Sequence, residues 1–126
     1  MISPVYFDEL ELGVVREYDG IGVSADEIIA FAKTFDPEPF HIDPIAARET
    51  HFGELVASGA HTFALWRRLG FESQRQHGWA TMAGAGMDEM RLLLPVKPGD
   101  HLCLRAELID KTPSRSKPDR GLIRTR

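Results

Sequence analysis

Residues 35–44 read FDPEPFHIDP and place Asp36, Glu38, His41 and Asp43 among three prolines and two phenylalanines. An aspartate and a histidine five residues apart, in a loop stiffened by Pro37 and Pro39, can converge on one small volume. Such a pair can orient a water molecule, one group taking a proton while the other gives one. Phe35 and Phe40 are expected to supply an apolar wall beside the pair. A second element lies downstream, at Ser58-Gly59. If a helix begins there, its free N–H groups and dipole favour an oxyanion, and glycine lets a carbonyl oxygen come close. The two elements together suit acid–base chemistry beside a polarised carbonyl, without a metal.

Each residue also has a plainer role open to it. Asp36 can simply stop a helix, and His41 can be a satisfied polar group in a tight loop. Asp43 before Pro44 is a good helix N-cap. Ser58 reads as an N-cap as well, because it lacks the G-x-S-x-G setting of a nucleophilic serine. His41, Asp43, His51 and His61 do not follow a helix-borne metal-binding spacing, and His77 and His101 fall beside turn signals and read as exposed.

The elements that must hold these groups can be read from pattern. Residues 13–27, GVVREYDGIGVSADE, open with a bent strand. The run Ser24-Ala-Asp-Glu27 is a capping box that starts a helix, with Ile28, Phe31, Ala32 and Phe35 on one face. Asp36-Pro37 ends it, since a residue before proline avoids the α region. A short helix is expected from about Ile45 to Thr50, and a long one from Ser58 or Gly59 through Leu69. The long helix is apolar almost all round as far as Arg67-Arg68, as a central, wrapped helix would be. Residues 81–96 and 101–112 read as two strands joined at KPGD, and DRGLIRTR as the start of another. This order predicts an α+β fold with an antiparallel sheet over a buried helix.

At 126 residues the chain is expected to form a single domain, residues 1–126. The net charge of −4 argues against a general nucleic-acid binder. Basic residues nevertheless gather at the end: Lys111, Arg115, Lys117, Arg120, Arg124 and Arg126 stand against Asp119 alone. They read as a solvated, partly flexible tail, with a phosphate-bearing ligand or a partner subunit as the alternative. One cysteine, Cys103, excludes an internal disulfide. Residues 1–13 lack the basic and apolar regions of a signal peptide, and no run reaches the roughly 20 apolar residues of a membrane span. A cytoplasmic protein without membrane association is the expectation.

The stretch FAKTFDPEPFHIDPIAARETHFGELVASGAHTFAL closely resembles the MaoC-like dehydratases, a family that includes the (R)-specific enoyl-CoA hydratases. The matching features are Asp36, Pro39, His41, Asp43, Ala47, Phe52-Gly53 and Ser58-Gly59, with MDEMRLLLPVKPGDHL resembling a later strand pair. The resemblance implies a hotdog fold, an antiparallel sheet wrapped around a long central helix. It places Arg126 in the penultimate strand, so that the last strand is expected to be lacking. It implies a hydratase or dehydratase acting on a 2-enoyl or 3-hydroxyacyl thioester in fatty acid metabolism. In that role Asp36 and His41 activate one water, and the Gly59 amide holds the thioester oxygen. Phe40, Ser58, Phe63 and Trp66 are the substrate-binding candidates, and Met82 and Met87 further candidates for a tunnel wall. No cofactor is implied beyond the CoA or phosphopantetheine that carries the acyl group. Homodimers or higher homo-oligomers are implied as well. Two other readings compete: a hotdog thioesterase, which would direct water at the carbonyl carbon, and a non-catalytic acyl-thioester binder or structural hotdog subunit.

Overall fold

The computed structural model of the chain describes residues 2–126. Its elements, in order, are a 3₁₀ turn (Phe7–Glu9), β1 (Val15–Gly22), α1 (Ala25–Phe35), α2 (Pro39–Ile42), α3 (Pro44–Ala47), α4 (Gly59–His77), β2 (His101–Pro113) and β3 (Gly121–Thr125). The three strands form one sheet in the order β1-β2-β3. Gly13 and Val14 bond to Leu108 while Val23 bonds to Gly99 and Asp100, so β1 and β2 run antiparallel. β3 is antiparallel to β2, with Lys111 opposite Ile123 and Pro113 opposite Gly121.

Local chemistry explains where the helices begin and end. The Ser24 hydroxyl accepts the Glu27 N–H at 3.1 Å and caps α1. α1 ends at Phe35, and the Asp36 N–H closes its last turn on the Ala32 carbonyl. The Asp43 carboxylate accepts the Ile45 and Ala46 N–H groups at 2.9 and 3.2 Å, so Asp43 is the cap of α3. Between them the structure corrects the reading of a continuous loop. Pro39–Ile42 is a single helical turn, α2, with Pro39 at its start. α3 is also shorter than expected, ending at Ala47, with turn residues beyond it.

The chain forms two compact units. The unit of residues 20–68 and 85–102 holds a core of Val23, Ile28, Ala47, Leu55, Ala57 and Val96, with Ile29, Phe40, Leu65 and Leu102 packed against it. The Lys97–Asp100 turn lies in this unit. The Asp100 carboxylate accepts the Lys97 N–H at 2.9 Å, and Gly99 takes a positive φ of 88°, as the KPGD signal requires. The other unit contains residues 1–19, 69–84 and 103–126. There the Arg16 guanidinium lies 3.9 Å over the Trp79 ring, and Val5 bridges to Trp79.

Three expectations change. Residues 81–96 are not a strand: among the described residues they enter no ladder, although the Thr81 N–H bonds to the Trp79 carbonyl at 2.9 Å and the Val96 carbonyl accepts the Ala57 N–H at 2.8 Å. Thr81 and Val96 are the only β-branched residues in this stretch, and Gly84, Gly86 and Asp88 are types that strands disfavour. α4 is buried along one stripe, His61, Leu69 and Ser73, while Phe63, Trp66 and Phe71 are exposed. The basic end is not a loose tail either. It is solvated as expected, but Lys111 lies in β2 and Arg124 in β3, Arg115, Lys117 and Arg120 fall in the turn between them, and Arg126 pairs with Glu107 at 2.9 Å.

Candidate active site

His41 is held by an exchange of hydrogen bonds with Val56. The Phe40 carbonyl accepts the Val56 N–H at 3.0 Å, and the Val56 carbonyl accepts the His41 Nδ1–H at 2.6 Å. A carbonyl can only accept, so Nδ1 carries a proton, and in the neutral ring the lone pair is the one on Nε2. That nitrogen lies 3.6 Å from Asp36 Oδ2. The separation is longer than a direct hydrogen bond and leaves both groups able to share a third partner. His41 is buried at 6% exposure, whereas Asp36 is partly open to solvent.

Ser58 joins the pair from a distant point in the chain. Its hydroxyl donates to Asp36 Oδ2 at 2.8 Å and accepts the Ala60 N–H at 3.2 Å. The residue is fully buried. One side chain therefore caps α4 and orients the aspartate, and its proton is committed to the carboxylate.

Gly59 is the first residue of α4. Its N–H is one of the orphan donors at a helix start and bonds to no protein acceptor among the described residues. Gly59 and His41 line the same cavity, of about 390 Å³. Phe40, His51 and Phe52 form an aromatic wall, with the Phe40 ring 4.5 Å from His41, 5.7 Å from His51 and 5.2 Å from Phe52. Val56, Ala57, Thr62 and residues 92–96 complete the lining. A nucleophile-orienting pair, a free oxyanion donor and an apolar chamber thus lie within one compact unit.

Asp36, His41, Phe40, Ser58 and Gly59 are brought together. Phe40, His41 and Gly59 line the cavity; Asp36 does not, nor does Ser58, which was expected to touch substrate and instead bonds to Asp36. Phe63 and Trp66 are placed apart from this cavity, stacked on each other at 5.3 Å on the exposed side of α4. Met82 and Met87 are exposed and line none of it. His51, Phe52 and Leu92–Val96 are cavity residues that sequence reasoning left out. The only local signal for His51 and Phe52 was the break at Gly53. Nothing in the composition of residues 92–96 separated a cavity wall from a strand.

Residues 11–123 match the family described as the MaoC like domain. The chain belongs to the MaoC-like family. Within it, the uncharacterized protein YdeM of Bacillus subtilis is 36% identical over 114 residues, spanning 87% of this chain and 77% of YdeM. The MaoC-like dehydratase of Rhodospirillum rubrum superposes with a TM-score of 0.83 at 38% identity, over 96% of this chain and 82% of that one. The R-hydratase PhaJ1 of Pseudomonas aeruginosa superposes with a TM-score of 0.64 at 28% identity, over 87% of this chain and 68% of that one. These likenesses make the fold a hotdog fold of the MaoC-like type, with α4 as its long helix. Hydratases and dehydratases are the enzymes among these relatives. No helix among the described residues is long and apolar enough to cross a membrane.

Proposed function

We propose that this MaoC-like protein is a lyase that adds water to a 2-enoyl thioester, or removes it from a 3-hydroxyacyl thioester, with CoA or an acyl carrier as the thiol. The observation that carries the reading is the placement of His41 Nε2 and Asp36 Oδ2, 3.6 Å apart, in the same unit as an unpartnered Gly59 N–H.

In the hydration direction, one water sits between Asp36 and His41, donating a proton to each acceptor. The thioester oxygen takes the Gly59 N–H at the positive end of α4, which draws electron density from the β-carbon. His41 Nε2 takes a proton as the water oxygen bonds to the β-carbon. The enolate that forms is held on Gly59 and gains a proton at the α-carbon from the same acid–base pair. Dehydration runs these steps backwards. The Val56 carbonyl keeps His41 in the tautomer that can act as base, and the Ser58 hydroxyl holds Asp36 in place. The acyl group lies against Phe40 and the apolar walls of the cavity. No further cofactor enters the reaction.

Pairing of two copies belongs to the same reading. Leu93 and Leu94 are 86% and 83% exposed in a stretch without ladder partners, and an apolar run of this kind is what a second copy would cover. Size-exclusion chromatography with light scattering tests it, a monomer at micromolar concentration being the contrary result.

The deciding experiment is hydration of crotonyl-CoA, followed through loss of the enoyl absorbance. Turnover supports the reading. A folded protein inert toward short, long and branched enoyl-CoAs rejects it and favours a non-catalytic acyl-thioester binder.

A further inference from the structure

Gly59 has one close neighbour across the cavity. A Cβ built on it would come within 2.5 Å of Leu92 Cδ1, so the Leu92 side chain lies directly against the face of the glycine. Leu92 is itself 56% exposed, and it belongs to a stretch that joins no ladder among the described residues. Both residues line the same cavity.

This contact falls where a substituent of the substrate would project. A thioester oxygen bound to the Gly59 N–H brings the carbonyl carbon and the adjoining α-carbon alongside that face. An α-carbon bearing hydrogen is flat and thin there. An α-methyl group needs carbon–carbon separations of about 3.5–4.0 Å, in space that the Leu92 isobutyl group already fills.

We propose that Leu92 is a specificity-determining residue that reads the α-carbon of the acyl group and selects unbranched thioesters over α-methyl ones. The inference rests on Gly59 holding the thioester oxygen in the hydratase reading above. Because Leu92 belongs to no strand ladder among the described residues, shortening it opens space beside Gly59 without removing a ladder partner.

The test compares kcat/KM for crotonyl-CoA and for (E)-2-methylcrotonyl-CoA in the wild type, Leu92→Ala and Leu92→Phe. Leu92→Ala is expected to raise the methylcrotonyl-to-crotonyl ratio by about 10-fold or more, the usual effect of one methyl group in an apolar pocket. Leu92→Phe is expected to lower it. An unchanged ratio in both variants, or an equal change for both substrates, overturns the role of Leu92 while crotonyl-CoA turnover by the wild type keeps the hydratase reading. A wild type that turns over neither thioester overturns both. Because the two variants are predicted to move the ratio in opposite directions, a general loss of stability does not imitate the result.

Discussion

The His41 ring donates its Nδ1–H to the Val56 carbonyl at 2.6 Å. This bond crosses fifteen residues of chain and decides which nitrogen of His41 is free to act as a base. Second partners that fix an imidazole's tautomer and orientation are what turn a histidine into a positioned base. The same residue, Val56, is bound in return through its N–H by Phe40, so that α2 and the strand-like stretch ahead of α4 hold each other.

The first prediction follows from that geometry. His41→Ala and Asp36→Asn should each lower kcat/KM for crotonyl-CoA hydration by at least about 100-fold, the lower end of what a positioned acid or base contributes. Thermal denaturation of each variant separates chemistry from folding. His41→Ala also strands the buried Val56 carbonyl and should lose about 1–3 kcal/mol, whereas Asp36→Asn keeps an acceptor for Ser58 and should be nearly as stable as the wild type.

Ser58→Ala tests positioning. It removes the 2.8 Å bond to Asp36 and the cap on the Ala60 N–H. The expected result is a fall in kcat of about 10-fold with KM little changed, and a stability loss of about 1 kcal/mol from the missing cap. A rise in KM alone, with kcat intact, would place Ser58 in substrate binding and not in the orientation of Asp36.

Gly59→Ala should fold, because the added methyl group meets the far end of the flexible Leu92 side chain and no backbone atom. The methyl group and the displaced leucine would crowd the oxyanion donor, and kcat/KM should fall by about 10-fold or more. In the Leu92→Ala background the same change should cost less, since the two side chains compete for one space. Measuring the double-mutant cycle gives the coupling directly, and simple additivity would contradict this account.

His61 supplies a pH dependence. It is buried on the first turn of α4, its ring stacked on Phe31 at 4.6 Å and nearly parallel, and its Nδ1 has no protein partner. Burial lowers its pKa below the ordinary imidazole value of 6.5, and the Glu27 carboxylate acts in the opposite direction. The unfolded chain therefore binds the proton more readily than the folded one. The stabilising contribution of neutral His61 is complete above about pH 6.5 and is lost as pH falls through the depressed folded value. Urea denaturation between pH 8 and pH 5 should show stability falling toward acid, and His61→Phe should flatten that part of the profile. An unchanged slope in the variant would assign the acid sensitivity to other groups.

Short-range structure was legible in the residues alone. Ser24 bonds to Glu27 and Asp43 bonds to Ile45 and Ala46, all within three positions. The Lys97–Asp100 turn and the stop at Asp36-Pro37 are likewise properties of adjacent residues. Such signals survive translation into sequence because the partners are always close along the chain. The proposed water-binding pair was legible for the same reason, five residues in a stiff segment being enough to bring Asp36 near His41.

What tertiary structure alone decided lies between residues far apart in sequence. Ser58 reaches Asp36 across 22 positions, Val56 reaches His41 across 15, and Leu92 rests on Gly59 from 33 positions away. None of these is encoded in a local pattern, because a hydroxyl, a backbone carbonyl and a leucine have no fixed partner until the chain closes. Residues 81–96 mark the limit most clearly. The apolar run 92–96 ahead of a turn reads as a strand, yet a strand is a relation between two segments, and among the described residues this one joins no ladder.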